Sequence, residues 1–129
     1  MGIKVDIPGV DWQKTRTNVV LAISPDCPYC VASLPFYRRL TAAGQGGPAR
    51  PAVTVLSPGL AAETRKWLAR EGVTPYRILE IPLGDIGVHR TPTLLVVDKD
   101  GVVTKTYEGR MEGRGEEELL RFLSNTGGR

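Results

Sequence analysis

Short apolar runs alternate with stretches of helical spacing along this chain. Asn18 to Ser24 (Asn-Val-Val-Leu-Ala-Ile-Ser) is a continuous apolar run of strand length, the pattern of a strand covered on both faces of its sheet. Ser24-Pro25-Asp26 then turns the chain. Val31, Leu34, Phe36, Tyr37 and Leu40 supply apolar contacts for a helix running to about Ala43, and Pro28 fits its first turn, where a missing N–H costs nothing. Ala52 to Leu56 predicts the next strand. Ser57-Pro58 predicts the start of a second helix with Leu60, Thr64, Trp67 and Leu68 on one face and Gly72 at its end. Tyr76 to Ile81 reads as a strand, Gly84 to Val88 as one helical turn, and Thr93 to Val97 as another apolar strand. Asp98-Lys99-Asp100-Gly101 is a hairpin signal, with Val102 to Glu108 returning antiparallel. Glu116 to Leu123 closes the chain as a helix, with acids at its N-terminal end and Leu119, Leu120 and Leu123 facing inward. Ile3 to Ile7 alternates like a short edge strand ended by Pro8-Gly9. Gly44 to Pro51 reads as a flexible loop, and Gly127-Gly128-Arg129 as a fraying end.

This order of elements implies an α/β fold: a mixed central sheet with helices on both faces. With 129 residues, no internal repeat and a hydrophobic fraction of 41%, one domain over residues 1–129 is expected, large enough to build its core without staples. Net charge is +3, from 17 basic and 14 acidic residues. The bases are scattered, with one adjacent pair at Arg38-Arg39, and form no stripe with interleaved aromatics. A nucleic-acid partner is therefore not expected. No apolar run reaches the roughly 18 residues that span a bilayer, and no signal-peptide pattern follows Met1.

The chemistry concentrates in Cys27-Pro28-Tyr29-Cys30, which holds the only two cysteines of the chain. It sits where the first apolar strand gives way to the first helix. A thiol at a helix N-terminus faces unpaired backbone N–H groups and the positive end of the helix dipole. The thiolate is favoured there, and its pKa falls from about 8.5 into the range of roughly 3.5 to 7.5. Cys27 is the expected nucleophile and Cys30, one helical turn on and more buried, the expected resolving thiol. Asp26 opposes the shift as a negative neighbour, but its side chain is free to turn to water. A pair this close cannot serve as a disulfide framework. The alternative is half of a metal site, which needs ligands beyond His89, the only histidine, or a dimer pooling two cysteines from each chain. His89 and Trp12 read as surface and packing residues respectively, as does Trp67 for packing, and Tyr29 as an exposed residue that shapes the surface between the cysteines.

The element order, with Cys-x-x-Cys opening the first long helix, resembles the thioredoxin fold. Cys27-Pro28-Tyr29-Cys30 has the letters of dithiol glutaredoxins. Pro35 stands where thioredoxins carry a helix-kinking proline. Thr91-Pro92-Thr93 before a strand looks like the family's cis-proline loop, and Leu94 to Val103 looks like the hairpin of thioredoxins and TlpA-like proteins. The match spans roughly residues 18 to 125, and the TlpA-like branch fits best. Three positions depart from the pattern. Asp26 replaces the Trp that precedes the first Cys in thioredoxins. Leu21 replaces their buried Asp, and Ser33 the Glu that TlpA-like reductases often carry. The usual carboxylate that takes the proton of the second thiol is thus missing at both places, leaving water, Asp26 or Glu80 for that task.

The resemblance implies a thiol–disulfide oxidoreductase that cycles Cys27 and Cys30 between dithiol and disulfide by direct exchange with protein thiols and disulfides. It implies no bound cofactor, no metal, a separate redox partner protein and a monomer. Pro28, Tyr29, Thr91 and Pro92 would form the substrate-binding surface, with a cis Pro92 presenting the Thr91 backbone to an extended substrate. A glutaredoxin-like enzyme using glutathione is the alternative within enzymes. A non-catalytic interaction or metal-bridging module is the alternative outside them. The resemblance leans towards the bacterial cell envelope, the chain being a mature or excised domain, with the cytoplasm also open.

Overall fold

The computed structural model describes residues 4–14, 17–43, 51–111 and 113–127. Five strands form one sheet: β1 (Thr17–Ala22), β2 (Ala52–Ser57), β3 (Arg77–Glu80), β4 (Thr93–Asp98) and β5 (Val103–Glu108). Their order across the sheet is β3-β2-β1-β4-β5. β1 pairs in parallel with β2, and β2 with β3, while β4 runs antiparallel to both β1 and β5. All six residues of β1 and all six of β2 are buried, so their unbroken apolar runs match strands covered on two faces.

The pleat divides these side chains between two cores. Val19 and Leu21 of β1, Val53 and Val55 of β2, and Leu94 and Val96 of β4 face one side, where they meet four α-helices. These are α1 (Pro28–Ala32), α2 (Leu34–Ala43), α3 (Ala61–Arg70) and α4 (Gly113–Gly127). The intervening residues Val20, Ala22, Leu56, Leu95 and Val97 face the other side. That core is closed by the N-terminal segment and by two 3-10 turns, Trp12–Lys14 and Leu83–Ile86, which contribute Trp12, Leu83 and Ile86. Helical elements therefore lie on both faces of the mixed sheet, as expected, with the α-helices gathered on one. The reason is topological: β1 to β2 and β2 to β3 step the same way across the sheet, so two right-handed crossovers put their helices on the same face.

Several expectations are corrected. The helix from Pro28 to Ala43 is two helices, broken at Ser33. The Ser33 N–H bonds back to both Tyr29 and Cys30 carbonyls at 3.1 Å, and its Oγ donates to the Tyr29 carbonyl at 2.8 Å. These bonds terminate α1. Pro35 is consequently the second residue of a new helix rather than an interior proline, a position where its missing N–H breaks no helical bond. Ser57-Pro58 does not start α3. Ser57 is the last residue of β2, its hydroxyl satisfied 2.7 Å from Thr64 Oγ1, and the helix begins at Ala61 after Leu60. The Glu80 carboxylate accepts from the Ala61 N–H at 3.0 Å. The edge strand expected over Ile3 to Ile7 is reduced to one bridge between Lys4 and Val102, Ile3 lying outside the described residues. The loop expected over Gly44 to Pro51 lies outside them except for Pro51, as do Gly128 and Arg129, whereas Gly127 is still helical. Leu119 and Leu123 are buried and Leu120 partly so.

Candidate active site

The site grows from the end of β1. Past Ala22, the Ile23 N–H still bonds to the Leu56 carbonyl at 3.3 Å. The chain then turns. Ser24 accepts twice, its carbonyl from the Cys27 N–H and its Oγ from the Asp26 N–H, each at 3.2 Å. This turn delivers Cys27 as the N-cap of α1, with an extended backbone at φ −98° and ψ 114°. An N-cap side chain accepts from the N–H groups of the first turn. Here the acceptor is sulfur: Cys27 Sγ receives the Cys30 N–H at 3.2 Å. On its other side the Cys27 thiol donates to the Thr91 carbonyl at 3.4 Å. The Thr91–Pro92 peptide is cis, and β4 begins directly after it, so the six-residue antiparallel pairing of β1 with β4 fixes the loop against the dithiol.

Both cysteines are free thiols, and their surroundings push them apart. Cys30 is fully buried, while Cys27 keeps 9% of its surface at the mouth of the site. Burial would raise the Cys27 thiol, but hydrogen bonds from the Cys30 and Thr91 side chains and from the Cys30 and Tyr29 backbone together hold it below its ordinary value. Each of these favours the thiolate. Burial pushes Cys30 up to about 12, reinforced by its hydrogen bond to Cys27, whose negative charge it also feels. One sulfur is thus prepared to ionise and the other to keep its proton.

An open groove runs past Cys27, lined by Asp26, Pro28, Tyr29, Pro58 and Thr91. Tyr29 is 62% exposed. The structure therefore brings together Cys27, Pro28, Tyr29 and Thr91 at one surface, with Cys30 behind them. Pro92 faces inward, onto a small cavity bounded by Leu21, Ser33, Tyr37, Leu94 and Tyr107. Asp26 lies exposed at the groove, and Glu80 is committed to the start of α3. The charges and hydrogen bonds acting most on Cys30 come from neither, but from Cys27, Ser24 and Thr91. His89 is exposed in the loop before Thr91 and does not line the groove. Among the described residues, no three His, Cys, Asp or Glu side chains gather to hold a metal ion, and no helix is long and apolar enough to cross a membrane.

Two contributors escaped the sequence. Pro58 forms a groove wall because β2 extends through Ser57 and the chain bends there. Tyr37 is 3% exposed. Burial raises its phenol, and the Cys30 charge adds to that, while a hydrogen bond from Ser33 works the other way. Its apolar neighbours made it look like one more core aromatic, and no spacing rule distinguishes it from Phe36.

No protein-family model matches the chain, and no curated protein matches it in sequence. Solved structures do. One is described as a thiol:disulfide interchange protein, DsbE, from Chlorobium tepidum. It has a TM-score of 0.70 at 19% identity, over 92% of this chain and 84% of that one. A thiol-disulfide isomerase from Corynebacterium glutamicum gives 0.67 at 16% identity, over 94% and 90%. The exposed lipoprotein thioredoxin Etrx1 of Streptococcus pneumoniae gives 0.61 at 26% identity, over 88% and 87%. The fold is the thioredoxin-like fold of these proteins.

Proposed function

We propose that this thioredoxin-fold chain is a thiol–disulfide oxidoreductase that exchanges disulfides with other proteins through Cys27 and Cys30. The observation that carries this reading is the opposed tuning of the two sulfurs within one turn of helix. Cys27, held below its ordinary pKa, stands at an open groove, and Cys30, pushed up to about 12, stands directly behind it. The resemblance to proteins named as thiol:disulfide interchange proteins and isomerases supports it.

Cys27 thiolate attacks one sulfur of a substrate disulfide. The substrate S–S bond breaks, its far sulfur leaves as a thiolate and takes a proton from solvent, and a mixed disulfide joins Cys27 to the near sulfur. Once the Cys27 negative charge is gone, the Cys30 thiol loses one of the influences that raise it. Its sulfur then attacks Cys27, closes the Cys27–Cys30 disulfide and releases the second substrate thiol. The substrate is oxidised or reduced by two electrons according to the direction of exchange. Thr91, held in place by the cis Pro92 behind it, supplies a wall against which an extended substrate segment lies, and Pro28, Tyr29 and Pro58 shape the groove around it.

Turnover with insulin as a protein disulfide tests the reading. Wild-type protein with a dithiol reductant should reduce it, Cys27→Ser should abolish the activity, and Cys30→Ser should accumulate a mixed disulfide visible by intact mass. Unchanged activity in Cys27→Ser contradicts the assignment. A glutathione mixed disulfide offered in parallel separates protein exchange from a glutathione-dependent enzyme.

A further inference from the structure

The groove beside Cys27 is open to solvent, and its lining decides which disulfides reach the sulfur. Ser24, Pro28, Tyr29, Pro58 and Thr91 leave most of that lining uncharged. Apart from the Cys27 thiolate, Asp26 is the one ionised side chain in it. Asp26 adjoins the nucleophile in the chain, their Cα atoms roughly 3.8 Å apart. Its backbone is pinned, because its N–H donates to Ser24 Oγ at 3.2 Å. Its carboxylate is exposed and has no hydrogen-bond or ion-pair partner among the described residues. The neighbouring charges are engaged or placed elsewhere. Glu80 accepts from the Ala61 N–H, and His89 and Arg90, just before Thr91, do not line the groove.

The same lining holds a second group that recognises cations. Tyr29 is 62% exposed, and an aromatic face attracts an ammonium or guanidinium placed within about 6 Å of its centre. The chain makes such a contact elsewhere, with the Arg77 guanidinium 4.8 Å from the centre of the Tyr76 ring. A free carboxylate and a free ring therefore stand at the groove beside the reacting sulfur. The chain as a whole carries a net charge of +3, so its long-range field draws anions. Attraction of cations to the groove is a local property of these residues.

Building on the exchange reaction proposed above, we propose that Asp26, with Tyr29 beside it, selects protein disulfides whose cysteine is flanked by lysine or arginine. The substrate cation lies against the Asp26 carboxylate while the Cys27 thiolate meets the neighbouring sulfur. The bond from Cys27 to that sulfur forms and the substrate S–S bond breaks. The far sulfur leaves with the electron pair and takes a proton from solvent. Asp26 keeps its charge throughout and exchanges no proton, so it determines which substrate binds and leaves the chemistry to the thiols.

Two small disulfides of matched length test this. Cystamine carries an ammonium, and 3,3′-dithiodipropionate a carboxylate, at the same spacing from each sulfur. In the Cys30→Ser protein each leaves a mixed disulfide on Cys27, whose growth is followed by acid quenching and intact mass. The cystamine-to-dithiodipropionate rate ratio is measured with and without Asp26→Asn. Comparing the two ratios cancels the intrinsic reactivity of the reagents and the pull of the Cys27 thiolate itself. Asp26→Asn should lower the ratio about five- to tenfold at low salt, and Tyr29→Leu about twofold. Sodium chloride at about 1 M should bring the protein with Asp26 close to the level of Asp26→Asn. An unchanged ratio in Asp26→Asn overturns the selection, and an unchanged ratio in Tyr29→Leu overturns the share assigned to the ring. Absence of a mixed disulfide with either reagent would instead remove the exchange reaction on which the selection rests.

Discussion

Cys27 and Cys30 differ by what surrounds each sulfur. Cys27 collects N–H and thiol donors at a helix N-cap, and Cys30 is enclosed by apolar contacts. Alkylation of the wild type should therefore reach its half-maximal rate below the pH typical of a free cysteine, because the lowered Cys27 pKa makes thiolate available at lower pH. Cys27→Ala should leave Cys30 nearly inert at neutral pH, a contrast that intact mass after timed iodoacetamide treatment checks. The same shifts predict how folding stability depends on pH. Between the lowered Cys27 pKa and its ordinary value of 9.0, the unfolded chain binds more protons there, so stability of the dithiol form rises with pH. From about 9 to about 12 the folded state retains the Cys30 proton that the unfolded chain releases, so stability falls. Urea melts of the reduced protein should show this rise and fall relative to the oxidised protein, which lacks both thiols; parallel curves for the two forms would contradict the assignment. The roles of the two cysteines were legible in the sequence because strand, turn and helix signals place one sulfur at a helix start and the other a turn later. The environment of Tyr37 was not, since nothing in an apolar spacing pattern tells a buried phenol that feels the charge of a nearby thiol from a ring in the core.

At the level of elements, continuous apolar runs identified β1, β2 and β4, whose burial on both faces leaves little freedom in reading them. Boundaries fared worse wherever a side chain competes with the backbone. Ser33 ends α1 through its own hydrogen bonds, a local event invisible to helical periodicity across residues 28–43. Ser57 looked like a helix cap because serine often is one, but its hydroxyl is taken by Thr64, and the strand pairing of Ser57 with Glu80 extends β2 past it. The hairpin was read correctly for a reason the structure makes explicit. Asp98 Oδ1 accepts from the N–H groups of Asp100 and Val102 at 2.9 and 3.0 Å, and Gly101 takes φ +81°. A Cβ at Gly101 would stand 2.9 Å from Trp12 Cδ1. Gly101→Ala thus combines a left-handed backbone with a clash, and should lower stability by about 1–3 kcal/mol in chemical denaturation. A change within experimental error would show that the turn and Trp12 yield more easily than their packing suggests.

For the whole molecule, the sheet is an asymmetric layer. Two crossovers and the C-terminal helix crowd one face, and the dithiol emerges where that helical layer meets the cis-proline loop. α4 closes this layer through Leu119 and Leu123, and an exposed ion pair between Arg39 and Glu117 at 2.6 Å links it to α2. Leu119 is 1% exposed, so Leu119→Ala should cost about 2–5 kcal/mol without altering the rate of Cys27 alkylation, since α4 does not reach the groove. The layered plan was legible in the order of elements, because strand-helix-strand units and a hairpin admit few arrangements. Which face stays without an α-helix was not legible: it follows from the direction in which successive crossovers step, which the pattern of apolar residues does not carry. The central claim is that one dithiol, Cys27–Cys30, passes between reduced and oxidised states as a unit. Equilibration in graded dithiol and disulfide buffers, followed by alkylation and intact-mass analysis, should give a single two-electron transition within the span of about −270 to −120 mV occupied by Cys-x-x-Cys oxidoreductases, while a protein that forms no Cys27–Cys30 disulfide in any buffer would contradict it.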